Sequence, residues 1–407
     1  MDYITLSPEM DLPKSLDEID PNSIYAAFQQ VTDGRHKRGI RYPLAVILTL
    51  IVLAKLAGEP KLSGVSRWVR LRGTWLNEHL HLQRTSWPAA STYTYVLDRT
   101  DPQEVTQVIQ QCLTRAESSQ RCGTEPSRLL GQAGREQKAH LALDGKTMRG
   151  TLSHESATQP SVHLLSLYEV NTGIVLAQRA VQIKENEISA VPDLLLPVLI
   201  KGRIWSADAM HTQKKMCAQL TQNEGDYLLI AKDNQPTTRA DLELFFEDPQ
   251  ADRAGWQSNT TCEKGHGRLE KRTLTASTDL TDYFTTQWPG IAQVFRLERS
   301  VSEKGQHRSS VVYGLTSLSP KKASASRLLQ LNRGHWGIEN RLHWRRDVTL
   351  GEDHSQVRTG RAPEVLAALN NTLLSLMDFL HVPNVPNQMR FYQAYPLEAL
   401  RLLLLKL

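Results

Sequence analysis

The chain has 407 residues, 40% of them hydrophobic and 22% charged, which excludes a low-complexity or disordered chain and leaves room for a large core in two or three domains. Its 48 Lys and Arg against 43 Asp and Glu give a net charge of +5, a mildly basic balance that permits a polyanionic partner without demanding one. Cys112, Cys122, Cys217 and Cys262 show neither C-x-x-C pairing nor histidines at zinc spacing, which argues against a zinc ribbon and reads as reduced thiols in a cytosolic protein.

The first residues lack a charged stretch followed by an apolar one, so no secretory signal is expected. Residues 1–120 read as helical. The most hydrophobic run, 42–57, is interrupted by Thr49 and Lys55 and falls short of the ~18 to 20 apolar residues of a membrane span, so it predicts a buried helix over 44–56 and no membrane partner. A shorter helix is expected over 62–71 and an amphipathic one over 102–117, with Asp101 able to cap it. His36, Lys37, Arg38 and Arg41 precede the buried helix, and residues 33–72 hold nine Lys/Arg against two Asp/Glu. Residues 321–361 hold nine against four, and clustering of this kind is the footprint of phosphate contacts.

After a Gly-rich linker at 121–137, strands are expected at 141–144, 162–170 and 174–182, the last two joined across Asn171-Thr172-Gly173 as a hairpin. A helix at 189–199, a strand ending at Asp208, a helix at 212–223 and a strand at 227–232 follow. That order matches a mixed sheet of the RNase H-like kind. The long interval from Lys232 to Glu339 predicts an insertion, with strand-like pieces at 268–276, 292–300 and 309–316. Helices at 363–380 and 397–407 complete the reading.

Three acids stand out. In Lys138-Ala-His-Leu-Ala-Leu-Asp144-Gly-Lys146 and in Arg203-Ile-Trp-Ser-Ala-Asp208-Ala-Met-His211 an apolar run ends in aspartate, as when a strand delivers an acid to its end. Either one alone reads as a cap or turn former. The third, Glu339, lies within R-G-H-W-G-I-E-N-R-L-H-W-R-R at 333–346. At ~100° per residue, a helix there sets His335, Glu339, His343 and Arg346 on one face, with Trp336 and Trp344 near its edge. A lone carboxylate on a basic face points to a metal ion meeting a phosphate; the plainer alternative is a solvated, salt-bridged helix. Taken together, the three supply hard oxygen ligands from separate elements, and magnesium fits them best. His335-x-x-x-Glu339-x-x-x-His343 lacks the H-E-x-x-H spacing of a zinc helix. No G-x-S-x-G, Walker or dinucleotide glycine pattern supports a serine hydrolase, an ATPase or an oxidoreductase.

The segments L-A-L-D-G-K-T-M-R-G (141–150), S-A-D-A-M-H-T-Q (206–213), Y-L-L-I-A-K-D-N-Q (227–235), G-H-G-R-L-E-K-R (265–272) and R-G-H-W-G-I-E-N-R-L-H-W-R-R-D-V (333–348) resemble, in order, the ISAs-type insertion-sequence transposases. These, also called H-repeat-associated proteins, belong to the RNase H-like DDE recombinases. The resemblance implies an α/β fold: a helical N-terminal associated domain (1–120) that binds DNA ends, the linker (121–137), an RNase H-like mixed-sheet core (138–234 and 321–407) and a β-rich insertion (235–320). It places the catalytic and metal-binding triad on Asp144, Asp208 and Glu339. In related transposases the glutamate helix bears a tyrosine seven residues before the acid, an arginine four before and a lysine seven after. Here those positions hold Asn332, His335 and Arg346.

The implied activity is that of a DDE transposase, cleaving DNA at the element ends and transferring the strands to target DNA. Two Mg²⁺ ions, with Mn²⁺ as a substitute, are the expected cofactors, Asp144 bridging them and Asp208 and Glu339 each completing one side. Lys146, Arg149, Lys232, Arg341 and Arg346 are expected phosphate contacts, joined by Arg35, Lys37 and Arg38 from the N-terminal domain. His211, His266, His335 and His343 are candidates to position water or phosphate, though a lone histidine is more often structural, and Asp353 is a candidate to orient the site. Trp256 and Trp288 are the insertion's candidates for holding a flipped base should excision pass through a DNA hairpin, against the commoner role of a core tryptophan. Handling two ends together calls for a homo-oligomer of at least two copies on DNA, in the bacterial cytoplasm at the nucleoid. Two other readings share the fold: a catalytically silent or domesticated DNA-binding protein, and a metal-dependent host nuclease.

Overall fold

The computed structural model describes residues 3–4, 12–13, 15, 18–38, 40–123, 138–152, 161–181, 185–265 and 267–406, with only the backbone of 117–123. His266, residues 124–137 of the expected linker and Leu407 lie outside the described residues, as does the side chain of Cys122. Cys112, Cys217 and Cys262 are free thiols. No helix among the described residues is long and apolar enough to cross a membrane.

The N-terminal part is helical, as the sequence predicts. α1 (Ile24–Gln29) starts where the Ser23 hydroxyl accepts from the Ala26 N–H. α2 (Leu44–Leu56) is buried at every position, which is why its sequence is apolar all round instead of striped. Its one cation, Lys55, donates to the Pro60 carbonyl, and burial pushes its pKa down to about 8 against the pull of Glu352. α3 (Leu62–Leu71), α4 (Gly73–His79), α5 (Ala90–Asp98) and α6 (Pro102–Gly123) follow. Both α2 and α6 pack on a C-terminal helix, α13 (Ala362–Phe379), and α1 and α2 on the last described helix, α15 (Pro396–Leu404), so the main hydrophobic cluster runs from Ile19 to Leu404.

Among the described residues nine strands form one mixed sheet. Its first part comprises β1 (His140–Thr147), β2 (His163–Glu169), β3 (Val175–Val181), β4 (Ile204–Ala207) and β5 (Asp226–Ala231) in the spatial order β3-β2-β1-β4-β5. β1, β4 and β5 run parallel, β2 is antiparallel to β1, and β3 is antiparallel to β2, which is the RNase H-like arrangement. The β2–β3 hairpin turns where the sequence predicts, at Gly173, whose φ of +77° and closeness to Asp378 leave no room for a Cβ. The helix expected at 189–199 is instead broken into α7 (Glu187–Ala190), a 3-10 turn at Val191–Asp193 and α8 (Pro197–Ile200). Pro192 and Pro197 each open a new segment because neither can donate a helical hydrogen bond. α9 (Lys214–Gln222) joins β4 to β5.

The insertion holds α10 (Pro236–Glu247), β6 (Gln257–Gly265), β7 (Arg268–Ser277), α11 (Thr281–Thr285), β8 (Gln293–Glu303) and β9 (Gln306–Thr316). β9 pairs antiparallel with β5 from Leu228↔Thr316 to Ala231↔Tyr313, so the insertion extends the core sheet. Trp288 is fully buried and donates to Thr238 Oγ1, and Trp256 packs against Phe245 and Phe246 while donating to Asp279. Trp288 thus takes the commoner of its two expected roles, that of a core tryptophan, and Trp256 is partly buried against the same core. α12 (Ala325–His335) returns the chain to the core, and α14 (Val385–Ala394) lies between α13 and α15.

Candidate active site

β1 and β4 run in parallel register up to Leu143↔Ala207, so Asp144, next on β1, lies beside Asp208, the first residue past β4. α12 crosses the same sheet, packing on β1, β4 and β5. It comes close because residue 334 is glycine: a Cβ there would lie 3.1 Å from His140 Nδ1. Beyond α12 the winding changes. Ile338–His343 and Arg345–Thr349 form π-helical turns, and the Trp344 N–H bonds back to the Glu339 carbonyl, five residues earlier. Such turns recur at functional sites.

The ligand atoms of Asp144, Glu339 and His343 lie within 4.8 Å of one another. His343 is buried, and its Nδ1 sits 3.2 Å from a carboxylate oxygen of Asp144 and 3.2 Å from one of Glu339. Burial opposes a charge on that imidazole, but the two carboxylates outweigh it and raise the His343 pKa above its ordinary value. Glu339 is held low in return, first by its hydrogen bond with His343, while the charge of Asp208 pushes it the other way. Asp208 takes its contact from the other side: His335 Nε2 lies 3.5 Å from Oδ1 and is the main cause of its lowered pKa, with Lys232 and His211 adding to it. Two hard carboxylates beside a third suit Mg²⁺ or Mn²⁺, and the imidazole nitrogen of His343 adds a softer donor.

The remaining expected residues divide by exposure. Arg149, Lys232, Lys37 and Arg38 are exposed and open to phosphate. Lys146 is buried two residues past Asp144, with Nζ 2.6 Å from Asp347 and 3.9 Å from Asp353. Asp353 also accepts from the Arg149 N–H, so it braces the loop after β1. Arg341 donates to the Val170 carbonyl and pairs with Asp378. Arg346 is not presented to solvent at all: it is fully buried against Glu352, so an internal ion pair replaces the expected phosphate contact. Arg35 is likewise turned inward, paired with Asp33 and donating to the Tyr42 carbonyl.

His211 is buried on the turn after Asp208, with Nε2 3.0 Å from Glu187. Glu187 also meets His163 at 2.7 Å. Burial would raise the Glu187 pKa, yet the two histidines bring it down to about 2. The carboxylate lies beside Gly145, where a Cβ would come 2.6 Å from it. Sequence reasoning missed Glu187, His140 and Ser206. Only the Asn186 cap marked Glu187 as a helix start, and nothing local set His140 or Ser206 apart.

Residues 135–376 match the family model described as the transposase DDE domain, and residues 25–113 match that of its associated segment. The chain is 32% identical over 244 residues to the protein YbfL of Escherichia coli K12, covering 58% of this chain and 63% of YbfL. It is 31% identical over 249 residues to "H repeat-associated putative transposase YhhI" of the same strain, covering 60% and 65%. Thus the chain spans just under two thirds of the length of these two relatives. With "Putative transposase YncI" of Escherichia coli O157:H7 it shares 26% identity over 352 residues, 85% of each. Among solved structures it is similar to a piggyBac transposase in a synaptic complex with hairpin DNA, at a TM-score of 0.42 and 11% identity over 94% of this chain and 77% of that one.

Proposed function

The chain belongs to the transposase DDE domain family, and from that premise we propose that it is the transposase of an insertion sequence, cutting DNA at the element ends and joining the freed strands to target DNA with Mg²⁺. The observation that carries the reading is the meeting of Asp144 and Glu339 around His343, with Asp208 ending the adjacent strand.

In this reading Asp144, Asp208 and Glu339 hold the divalent ions. When bound, a pair of such ions supplies an activated water or sugar hydroxyl and neutralises the departing oxygen. The chain's own groups do the rest. His343 fixes Asp144 and Glu339 toward each other, since one buried nitrogen faces both. Lys232 and Arg149 receive the phosphates flanking the scissile bond, being exposed cations near Asp208 and just after β1. Lys37 and Arg38 add contacts farther along the DNA. Two ends processed together require at least two copies on DNA.

The test uses the purified full chain and a duplex carrying the element's terminal repeats. Mg²⁺-dependent nicking is expected for the unaltered chain, and Asp144→Asn, Asp208→Asn and Glu339→Gln should each bind the duplex yet nick it at background rate, because an amide is a poor ligand for a hard cation. Wild-type nicking by any one variant removes that residue from the triad. No nicking by the unaltered chain with either Mg²⁺ or Mn²⁺ would turn the reading to a silent DNA-binding protein.

A further inference from the structure

Asp208 has the longest histidine contact of the three acids, 3.5 Å against 3.2 Å for Asp144 and for Glu339. It caps no helix through its side chain, more than half of that side chain is exposed, and its close ion-pair contact is His335. What stands behind His335 is buried. Ser206, two residues earlier on β4 and so on the same face of the sheet, brings Oγ to 3.0 Å from His335 Nδ1. His140, at the start of β1, brings Nε2 to 2.7 Å from the same Oγ. Ser206 and His140 are 1% and 3% exposed, so neither can exchange these contacts for water.

Hydrogen counting narrows the directions of these bonds. A serine hydroxyl has one hydrogen and can accept from others. His140 is a neutral imidazole, since burial presses its pKa down to about 3, so its Nε2 either donates to Ser206 or accepts from it. If Ser206 gave its hydrogen to His140, a neutral His335 would have to donate from Nδ1 and would turn a bare Nε2 lone pair toward the Asp208 carboxylate. With His335 neutral, the opposite order gives every group a partner: His140 Nε2–H donates to Ser206 and Ser206 O–H to His335 Nδ1. With His335 protonated, Nδ1–H donates to Ser206, whose own hydrogen goes to His140 or to the Leu141 carbonyl at 3.4 Å. In both cases His335 turns Nε2–H, 3.5 Å from Oδ1, toward Asp208.

We propose that His140, Ser206 and His335 form a chain of contacts that positions Asp208, holding the His335 ring with Nε2–H toward one carboxylate oxygen so that the other is left for a cation. This rests on the reading of Asp208 as a metal ligand. The three are positioning residues, acting on the cation through Asp208. Outer partners of this kind commonly change metal affinity ten- to a hundredfold when removed.

Two measurements on the full chain test it. In the metal-free protein labelled with ¹⁵N-histidine, the resonance that disappears in His335→Gln should show a protonated Nε2, and Ser206→Ala should lose that preference. A wild-type His335 carrying its proton on Nδ1 alone overturns the proposal, whatever the variant does. Separately, Mn²⁺ binding followed by electron paramagnetic resonance without DNA should weaken ten- to a hundredfold in Ser206→Ala, and the Mn²⁺ needed for half-maximal nicking should rise in step while the rate at saturating Mn²⁺ recovers. His335→Gln, which keeps an N–H donor, should lie between Ser206→Ala and His335→Ala. Unchanged Mn²⁺ affinity in a folded Ser206→Ala overturns the chain while leaving the acidic site intact. Failure of the unaltered protein to bind Mn²⁺ instead overturns the reading of Asp208 as a ligand, and the proposal falls with it.

Discussion

Replacing Arg346 separates two roles that its sequence position leaves open. In the fold its guanidinium is fully buried: Nε donates to Glu352 at 2.8 Å, while Nη2, 2.7 Å from the same carboxylate, is too poorly aligned to count as a second hydrogen bond. Asn370 donates to the other oxygen of Glu352 at 2.7 Å. Burial alone would raise the Glu352 pKa, and Arg346 is the foremost group holding it down, so the carboxylate is charged because the arginine is there. Arg346→Ala strands that charge. Breaking one side of a buried pair costs roughly 3 to 5 kcal/mol, a large share of a typical stability of about 5 to 15. Urea unfolding should therefore show a much lower midpoint, whereas DNA-end binding measured well below that midpoint should be nearly unchanged. Arg346→Met combined with Glu352→Gln should recover more than half of the loss, because the amide still accepts from Asn370 and no buried charge of the pair remains. An Arg346→Ala protein with an unchanged midpoint and weakened DNA binding would refute the structural role and restore the arginine as a phosphate anchor.

Folding stability should fall as pH drops from about 6.5 toward 3. Burial, with the charges of His335 and Arg327, holds folded His140 at about 3, so over that window the unfolded chain binds the extra proton. The slope should approach about 1.4 kcal/mol per pH unit from this residue and flatten in His140→Phe, read by thermal unfolding across pH; an identical slope in the variant would assign the acid sensitivity elsewhere. Trp288→Ala should cost about 3 to 5 kcal/mol in urea unfolding while leaving second-strand processing intact at a permissive temperature. A stable variant that blocks only that later step would return Trp288 to the DNA. Converting Lys37 and Arg38 together to Gln should make the slope of log K against log salt shallower by about two, since each exposed cation on a phosphate releases roughly 0.9 of a counterion. An unchanged slope removes both from the interface.

Much of the fold was legible because local signals and tertiary demands agree. α2 and α3 fall where the apolar run and the short amphipathic stretch place them, and Gly173 turns the hairpin that Asn171-Thr172-Gly173 announces. The signals failed where tertiary context overrides them. Residues 189–199 carry helical periodicity, yet Pro192 and Pro197 restart the backbone twice. β6 was invisible because it is largely exposed and Thr-rich, with no alternating apolar face, and it is a strand because β7 supplies a partner from Gln257↔Ala276 to Gly265↔Arg268. The cations misled in another way. Charge clustering in sequence carries no information on direction, so Arg35 and Arg346 looked like Lys37 and Arg149 until packing turned them inward.

The same limit explains what the sequence could and could not say of the three acids. Spacing alone puts His335, Glu339 and His343 on one helical face, which makes them look like a single ligand set and invites comparison with a zinc helix. The fold divides them. His335 ends α12 and reaches across to Asp208 just past β4, whereas His343 lies beyond the change to π winding and reaches Asp144 on β1. Glu339 stands between, bonded to His343 and feeling the charge of Asp208. Each aspartate thus has its own histidine, one on either side of the glutamate by four residues, and the two differ in what backs them: His335 is tied to Ser206, while His343 Nε2 is buried without a hydrogen-bond partner among the described residues. One histidine is therefore fixed by a neighbour and the other by the acids it serves. For that reason changes in the acids should be felt by His343 first, and changes in the sheet behind them by His335.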